Sequence, residues 1–426
     1  MALVNPDYNT KNRDVLYVSI TIIAVVFLVA MSVSFLTEST LHHHRTVSEA
    51  YAQPYIETVK HRNLTIDLGN GLKTNAQLTI PNVGEGPFPG IPLIPGAGPN
   101  DMNYTASPNV KPFWQISQYL SERGFVVLRY DKRGIGDNGT IIDNDLWGSM
   151  RYNDLKQDAE KAVDILLRQP EVDPMKITLI GHSEGGEIAA RVATDNPGIR
   201  FENIVLMGAR IQNPYDVLHY GFVGLPIEYA KQVLDKNHNG SFSLQGASQD
   251  QIFQSIVGGN TSISILTQGL PNDTKLLKSG YNPDNDIFIN INSELKPILE
   301  RRLENALDAS TCENPMEGPC PIYLKSLLGL KPTLSIVGNV SSSTGILILH
   351  GQNESGSRVQ QAFLLQQRLT ELDHPDHTLI TYPDLEHVFY KSNEWVTSFG
   401  LIPEYVLQDI FEWLVSPARD VSKKIQ

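Results

Sequence analysis

The stretch of sequence that decides the fold is KITLIGHSEGGEIAA, residues 176–190. It opens with a short run of apolar and β-branched residues, which is typical of a buried strand. Its last residues favour a helix that continues from Glu187 to Ala193. Between the two lies the glycine-rich pentapeptide GHSEG at 181–185, so the sequence predicts a strand, a tight turn and a helix in direct succession.

The turn carries a serine in the pattern G-x-S-x-G, which in a strand–turn–helix setting predicts a nucleophile elbow. So sharp a turn requires small residues two positions before and two positions after the serine, and Gly181 and Gly185 meet this requirement. Ser183 would then lie at the N-terminus of the helix, where the helix dipole favours developing negative charge. We predict that Ser183 is a nucleophile; an ordinary glycine-rich turn is the alternative.

A serine at neutral pH is a poor nucleophile and needs a general base. In chains with this elbow the acid and the histidine follow the serine in that order, each beyond the end of a strand. Glu354 comes directly after the apolar run GILILHG at 345–351, and His387 lies in YPDLEHVF, after the next predicted strand. We therefore predict that Glu354 is the acid and His387 the base.

Other side chains compete for these two roles. His182 is adjacent to the serine, and a side chain at that position of the elbow should point elsewhere. Asp384 and Glu386 precede His387 too closely to orient its ring from the opposite nitrogen. Glu354 therefore remains the preferred acid.

An oxyanion hole needs two backbone N–H groups, one from the residue after the nucleophile and one from the loop after an earlier buried strand. The first would come from Glu184. The loop is PGAGP at 95–99, where Pro95 has no N–H, so Ala97 or Gly96 must supply the second. We favour Ala97; a plain glycine turn is the alternative for this loop.

Apolar runs alternate with helical patterns on both sides of the elbow, after a β-hairpin at Asn63–Pro81. Such alternation predicts an α/β fold with a mostly parallel sheet and helices on both of its faces. The alternation stops between residues 210 and 343, a polar stretch with helical segments such as Ser293–Leu307. We predict one core formed by 55–209 and 344–418, with 210–343 inserted as a mainly helical lid.

The motifs PGAGPND, LRYDKRGIG, GHSEGG, LILHG-x-x-E and YPDLEHVF, taken in this order, resemble those of the α/β-hydrolase superfamily. The likeness is greatest to its esterase, thioesterase and serine-aminopeptidase-like branch, and it covers about Asn63–Arg210 and Gly345–Leu414. It implies the α/β-hydrolase fold. The resemblance also implies the same roles for the same residues: Ser183 as nucleophile, Glu354 as acid, His387 as base, and Ala97 with Glu184 as oxyanion donors.

Two residues depart from the pattern of this superfamily. Pro95 stands where the family usually has histidine, in H-G-x-G-P, which bears on the geometry of the oxyanion loop. Glu354 stands where the family more often has aspartate. That replacement changes the reach of the carboxylate by one methylene group.

Near the N-terminus, residues 15–36 form an uncharged apolar run of 22 residues. A helix of this length reaches about 33 Å and would cross the roughly 30 Å hydrocarbon core of a bilayer. We predict a cytoplasmic tail at 1–14, a transmembrane anchor at 15–36 and a linker at 37–54, with the hydrolase outside the cell because Lys11 and Arg13 precede the anchor. A cleaved signal peptide or a buried core helix is the alternative.

Two further features fit an exterior location. Cys312 and Cys320 are predicted to form a local disulfide in the insertion, with two free thiols as the alternative. Eight N-x-Ser/Thr sequons are mild support for a glycoprotein, and they begin at Asn63, Asn103, Asn138, Asn239, Asn260, Asn272, Asn339 and Asn353. A glycan at Asn353 would obstruct the acid next to it, so we predict that this sequon is unoccupied.

Residues 235–243, DKNHNGSFS, match the first nine positions of a calcium-binding EF-hand loop. Asp235, Asn237 and Asn239 would be ligands, but Gly246 stands at the twelfth position in place of the bidentate glutamate. We treat the loop as a weak calcium candidate, with a simple Asn-Gly turn as the alternative. No other metal site and no cofactor is predicted.

The composition excludes several other classes of protein. The chain has 426 residues and a net charge of −13, so general nucleic-acid binding is not expected. Two cysteines exclude a cysteine-rich zinc domain, and a mean hydropathy of −0.19 excludes a polytopic membrane protein.

Together these features predict a single-pass membrane-anchored extracytoplasmic serine hydrolase that cleaves an acyl bond of a small-molecule ester or thioester. A serine-aminopeptidase-type peptidase is the alternative within enzymes. A catalytically silent surface binding module on a hydrolase scaffold is the alternative outside them.

Overall fold

The computed structural model describes residues 58–256, 288–310, 312, 320–392, 395 and 400–416. The predicted anchor at 15–36, with its flanking tail and linker, lies outside these residues. Within the described ranges, no helix combines the length and the apolar character that spanning a membrane requires.

The main sheet has eight strands: β1 (Val59–Gly69), β2 (Leu72–Pro81), β3 (Phe88–Ile94), β4 (Val126–Tyr130), β5 (Val172–His182), β6 (Phe201–Met207), β9 (Gly345–Gly351) and β10 (His377–Tyr382). Their order across the sheet is β1-β2-β4-β3-β5-β6-β9-β10. β1 and β2 form the antiparallel hairpin predicted for 63–81, β2 also runs antiparallel to β4, and the remaining pairs are parallel. The predicted mostly parallel α/β sheet is therefore confirmed.

Helices connect the parallel strands and also occupy much of the stretch between β6 and β9. The α-helices are α1 (Pro112–Ser121), α2 (Asn144–Ser149), α3 (Tyr152–Leu167), α4 (Glu184–Asp195), α5 (Pro214–His219), α6 (Leu225–Tyr229), α7 (Leu244–Gln249), α8 (Gln251–Ile256), α9 (Lys296–Asp308), α10 (Pro321–Leu328), α11 (Thr333–Ile336), α12 (Gln360–Glu371) and α13 (Glu404–Val415). Short π-helical turns occur at Tyr220–Gly224, Ala230–Leu234 and Ile291–Leu295.

The sheet is covered on both faces because successive side chains of a strand point to opposite sides. In β6, Ile204 and Leu206 belong to one apolar cluster, which also contains residues of α3, α4 and α12. Val205 and Met207 belong to the other, together with residues of α1 and α13. The parallel strands are thus apolar on both faces, as fully covered parallel strands require.

The described parts of the insertion are mainly helical and include a small antiparallel pair of strands, β7 (Ser241–Ser243) and β8 (Phe288–Asn290). Its apolar side chains, such as Phe222 and Leu324, join the same cluster as α3 and α4. The domain boundaries and the role of this insertion as a lid remain predictions.

The carboxyl ends of β3, β5, β6, β9 and β10 lie along one edge of the sheet, since these strands are parallel. Loops that follow parallel strands meet at such an edge, which is where ligands bind in α/β folds. The loops after β3, β5, β9 and β10 carry Ala97, Ser183, Glu354 and His387.

Candidate active site

Ser183 lies between the end of β5 and the start of α4, where the sequence predicts the elbow. Its backbone has φ 55° and ψ −119°, a conformation that a residue with a side chain rarely adopts. Strain of this kind clusters at functional sites, where surrounding structure holds it in place. The serine N–H donates to the Met207 carbonyl at 2.8 Å, which ties the turn to the end of the adjacent strand.

The two glycines of the elbow allow the backbone segments to approach one another. A Cβ at Gly181 would lie 2.1 Å from the Gly185 carbonyl oxygen, and a Cβ at Gly185 would lie 2.0 Å from the Ile94 carbonyl oxygen. Neither contact is possible between real atoms. The close packing of α4 against β3 and β5 therefore requires glycine at both positions.

Glu354 and His387 are brought together from the loops after β9 and β10. Glu354 Oε1 lies 2.5 Å from His387 Nδ1, and the glutamate side chain is 1 % exposed. On the other side of the same carboxylate, Oε2 lies 2.9 Å from His350 Nε2. The same His350 Nε2 lies 2.7 Å from the Ser357 carbonyl oxygen, so the carboxylate and the carbonyl share one N–H group. Glu354 is thus a buried carboxylate held between two imidazoles.

These contacts determine the charge state of the carboxylate. Burial alone would raise the pKa of Glu354, but the two histidines and their hydrogen bonds lower it to about 2. For His350, burial acts to lower the pKa, while the Glu354 carboxylate and the Ser357 carbonyl raise it above its ordinary value. Glu354 is therefore ionised at neutral pH.

His387 lies close to the elbow as well as to Glu354. A Cβ at Gly208, just beyond β6, would be 3.2 Å from His387 Nδ1, so glycine leaves room there for the imidazole. The rings of His182 and His387 have centroids 4.7 Å apart. The structure thus brings His387, the predicted base, next to the residue that precedes Ser183.

His182, the rival histidine, has a different set of contacts. Its Nε2 lies 2.8 Å from the His387 carbonyl oxygen and its Nδ1 lies 2.9 Å from the Tyr104 hydroxyl. Because a carbonyl only accepts, Nε2 must carry the hydrogen, so Nδ1 accepts from Tyr104. Burial first, and then the neighbouring His387, lower the pKa of His182 to about 3. His182 is therefore a neutral ring that holds the backbone of the predicted base.

The rival acids do not contact the base in this way. The Glu386 carboxylate accepts hydrogen bonds from the backbone N–H groups of Val388 and Tyr390, at 2.8 and 3.2 Å. Asp384 is exposed. Glu354 is the carboxylate that meets the imidazole nitrogen of His387.

The oxyanion loop after β3 is held by side chains from neighbouring segments. The two hydrogens of the Asn100 amide nitrogen are shared among the carbonyl oxygens of Gly96, Ala97 and Gly98, which lie 2.9, 3.0 and 3.3 Å from it. The Gly96 N–H donates to the buried Tyr104 hydroxyl. The Gly96 N–H is therefore engaged, and the role of the Ala97 N–H as an oxyanion donor stays a prediction.

Three other predicted features have defined positions. Cys312 and Cys320 form a disulfide. The Asp235 carboxylate accepts the backbone N–H groups of Asn239 and Gly240 at 3.0 and 2.8 Å, so the one acid of the EF-hand-like loop closes a turn. Calcium binding there stays a prediction. The Asn353 amide nitrogen, the atom that a glycan would modify, donates to the Ser392 carbonyl at 2.8 Å.

Several residues of the site were not singled out from the sequence. His350 stands in the quoted run GILILHG, but nothing in a run of apolar residues marks a histidine as a contact of Glu354. Tyr104 comes from a loop with no periodic pattern. Their roles arise from segments far apart in the chain.

Part of the chain is similar in sequence to known proteins. Residues 110–241 match the family described as "Serine aminopeptidase, S33". Esterase EstD from Thermotoga maritima is 35 % identical over 144 residues, which are 34 % of this chain and 31 % of that protein. The resemblance to the esterase and serine-aminopeptidase-like branch of the α/β-hydrolase superfamily is therefore confirmed.

A second relative and a solved structure are also similar to this chain. Human acyl-coenzyme A thioesterase 6 is 29 % identical over 150 residues, 33 % of this chain and 28 % of that protein. This chain thus covers less than a third of the length of either relative. Among solved structures, a highly thermostable carboxyl esterase from Bacillus coagulans has a TM-score of 0.49 at 18 % identity, with 83 % of this chain and 97 % of that chain covered.

Proposed function

We propose that this α/β-hydrolase is a serine hydrolase that cleaves a carboxylic ester or thioester through Ser183, Glu354 and His387. The observation that carries the proposal is the contact of 2.5 Å between Glu354 Oε1 and His387 Nδ1, next to a strained serine at an elbow. A carboxylate at this nitrogen fixes the tautomer and orientation of an imidazole that acts as a general base.

In the proposed reaction, the Ser183 oxygen attacks the acyl carbon while His387 Nε2 takes the hydroxyl proton. The resulting oxyanion accepts hydrogen bonds from the backbone N–H groups of Ala97 and Glu184. His387 then donates the proton to the departing alcohol or thiol, which leaves an acyl-enzyme. His387 then deprotonates a water molecule, which attacks the acyl carbon of the acyl-enzyme. The Ser183 oxygen leaves and takes the proton from His387, and the carboxylic acid product is released.

Ester chemistry is supported by the printed activities of the similar proteins, which include an esterase and a thioesterase. A peptidase of the serine-aminopeptidase type is the second candidate, because the matched family carries that description. The two differ in the leaving group: an amine has to be protonated as it departs, whereas an alkoxide or thiolate is a better leaving group.

We also propose that the insertion at 210–343 acts as a lid that selects the substrate. This is supported by its contact with the acid loop, where the Tyr220 hydroxyl donates to the Ser355 carbonyl at 2.8 Å. Arg358, in the same loop, pairs with Glu228 of the insertion. Both contacts lie within four residues of Glu354.

The segment 15–36 is proposed to anchor the enzyme in the cell membrane, with the catalytic domain outside. Its apolar length supports this assignment, as does the disulfide, since disulfides persist outside the cytoplasm. Protection of Lys11 and Arg13 from trypsin in intact cells, with cleavage of the remainder, tests the orientation. Extraction of the intact chain by alkaline carbonate would contradict the anchor.

Covalent labelling of the full-length chain by a fluorophosphonate tests the enzyme reading. We expect labelling that is lost in Ser183→Ala and retained in the control Ser392→Ala. Unlabelled wild type, or label that persists in Ser183→Ala, would leave the silent binding module as the better reading. A panel of p-nitrophenyl acyl esters and aminoacyl p-nitroanilides then separates an esterase from a peptidase by the ratio of their kcat/KM values.

A further inference from the structure

Lys132 and Glu184 form a buried ion pair between the oxyanion loop and the nucleophile elbow. Their side chains are 3 % and 1 % exposed, and Lys132 Nζ lies 3.2 Å from Glu184 Oε2. The same ammonium donates a hydrogen bond to the Gly96 carbonyl oxygen. Lys132 follows β4 and Glu184 begins α4, so residues distant in sequence meet between the oxyanion loop and the elbow.

The other oxygen of the Glu184 carboxylate is also engaged. Glu184 Oε1 lies 3.1 Å from Arg210 Nη2, and the Arg210 side chain is largely buried. The glutamate is thus held from two sides and cannot turn without breaking an ion pair. Because its backbone N–H lies in the same residue, at the start of α4, these ion pairs also restrain that N–H.

Buried charges are costly, because removing an ion from water is repaid only where its partners are well placed. A hydrophobic pair of similar volume would often fill such a space with no loss of stability. Burial lowers the pKa of Lys132, while the Glu184 carboxylate and its hydrogen bond oppose that shift. A role besides stability would account for keeping an ammonium at this point.

The position of the ammonium suggests that role. The carbonyl of Gly96 and the N–H of Ala97 belong to a single peptide unit, which is planar and trans. A group that fixes the Gly96 oxygen therefore fixes the direction of the Ala97 N–H on the opposite side of that plane. A cation at the oxygen also polarises the peptide, so its N–H becomes a stronger donor.

We propose that Lys132 is a positioning residue that orients and polarises the Ala97 N–H, and that Glu184 holds Lys132 in place through its side chain while donating its own N–H. This inference rests on the proposed function of the site. The Lys132–Glu184 ion pair would link the segments that carry the two oxyanion donors, so that the two N–H groups form one preorganised unit. The amide of Asn100 is a second donor to the same Gly96 oxygen.

The test compares Lys132→Met with the double variant Lys132→Met/Glu184→Gln. The single variant leaves a buried carboxylate with Arg210 alone, whereas the double variant removes both charges of the pair. Asp158→Asn is the matched control, since Asp158 makes a buried ion pair with Arg133, the next residue along, at 2.6 Å. Fluorophosphonate titration of the full-length chain gives the fraction of active sites, and all rates are expressed per active site.

We expect kcat/KM for a p-nitrophenyl ester to fall by roughly 10- to 100-fold in both Lys132 variants, less than the 10²–10³-fold attributed to loss of a donor itself. The inhibition constant of a trifluoromethyl ketone, which binds as a tetrahedral oxyanion, should rise by a similar factor. The Asp158→Asn control should lower the active fraction or the thermal midpoint and leave kcat/KM per site within about twofold of wild type.

Three outcomes would overturn the inference. Wild-type kcat/KM per site in the double variant would show that the single variant suffers only from an unpaired charge. An unchanged inhibition constant for the ketone would show that the oxyanion donors have not moved. Wild type that is inert to fluorophosphonate would refute the proposed function itself, and the positioning role with it.

Discussion

Glu354 Oε1 lies 2.5 Å from His387 Nδ1, although the two residues come from different loops and stand 33 positions apart in the chain. The second oxygen of the carboxylate lies 2.9 Å from His350 Nε2. The two neighbouring imidazoles thus keep this buried carboxylate ionised. Glu354 is therefore part of a short chain of three contacting side chains, His350, Glu354 and His387.

Replacement of Glu354 by glutamine should remove the charge that orients the base while keeping the size of the side chain. We expect kcat to fall by roughly 10³- to 10⁴-fold, as when the carboxylate of a serine hydrolase triad is replaced by its amide. Hydrolysis of a p-nitrophenyl ester measures the loss. Asp384→Asn, an exposed acid in the loop of the base, is the control and should keep wild-type kcat. A small effect of Glu354→Gln would assign the acid elsewhere.

Gly185→Ala should disrupt the elbow, because the added Cβ would lie 2.0 Å from the Ile94 carbonyl oxygen. We expect a loss of stability of more than about 4 kcal/mol, or failure to accumulate as folded protein. Gly198→Ala is the control, since a Cβ at Gly198 meets no atom within 4 Å, and its effect should stay within about 0.5 kcal/mol. Urea unfolding followed by circular dichroism measures both; equal midpoints would contradict the steric reading.

His182 should make the stability of the folded protein depend on pH. Its pKa is lowered from an ordinary 6.5 to about 3 by burial and by the nearby His387. Below pH 6.5 the unfolded chain gains a proton that the folded chain does not accept until about pH 3. The stabilisation supplied by His182 is therefore complete above pH 6.5 and declines as the pH falls, by an amount on the order of a few kcal/mol.

The comparison of wild type with His182→Gln isolates this contribution from that of other titrating groups, such as Glu386, whose pKa burial raises to about 7. Thermal midpoints measured from pH 8 to pH 4 should differ most at pH 8, and the difference should narrow on acidification. A difference that is constant with pH would show that His182 is not a buried neutral ring.

The Asn353 sequon should remain unglycosylated in active protein, because its amide nitrogen donates to the Ser392 carbonyl at 2.8 Å beside the acid loop. Glycopeptide mapping of protein expressed in a glycosylating cell measures its occupancy. Asn63, whose side chain accepts a hydrogen bond from Gln77 on the surface of the hairpin, offers an internal comparison on the same chain. A sugar on Asn353 in fluorophosphonate-labelled protein would refute the prediction.

Local patterns sufficed to predict main elements of the core. The strand at Gly345–Gly351 has the bounds of the apolar run that predicted it. The insertion was less predictable: the helical pattern at 293–307 corresponds to a π-helical turn followed by α9, and the short strands β7 and β8 were not anticipated. Strands of three residues carry too few side chains for a period to be recognised.

The sequence by itself determined the α/β core with its mostly parallel sheet, the elbow around Ser183, and the order in which Glu354 and His387 follow it. These depend on local spacing and on the rule that parallel strands end at one edge of the sheet. Only the tertiary structure decided that His350 shares the acid, that His182 holds the backbone of His387, and that Lys132 joins Glu184 to the Gly96 carbonyl. Such contacts join loops from different strands, and burial in a common interior, which no local pattern records, sets both their geometry and their charge.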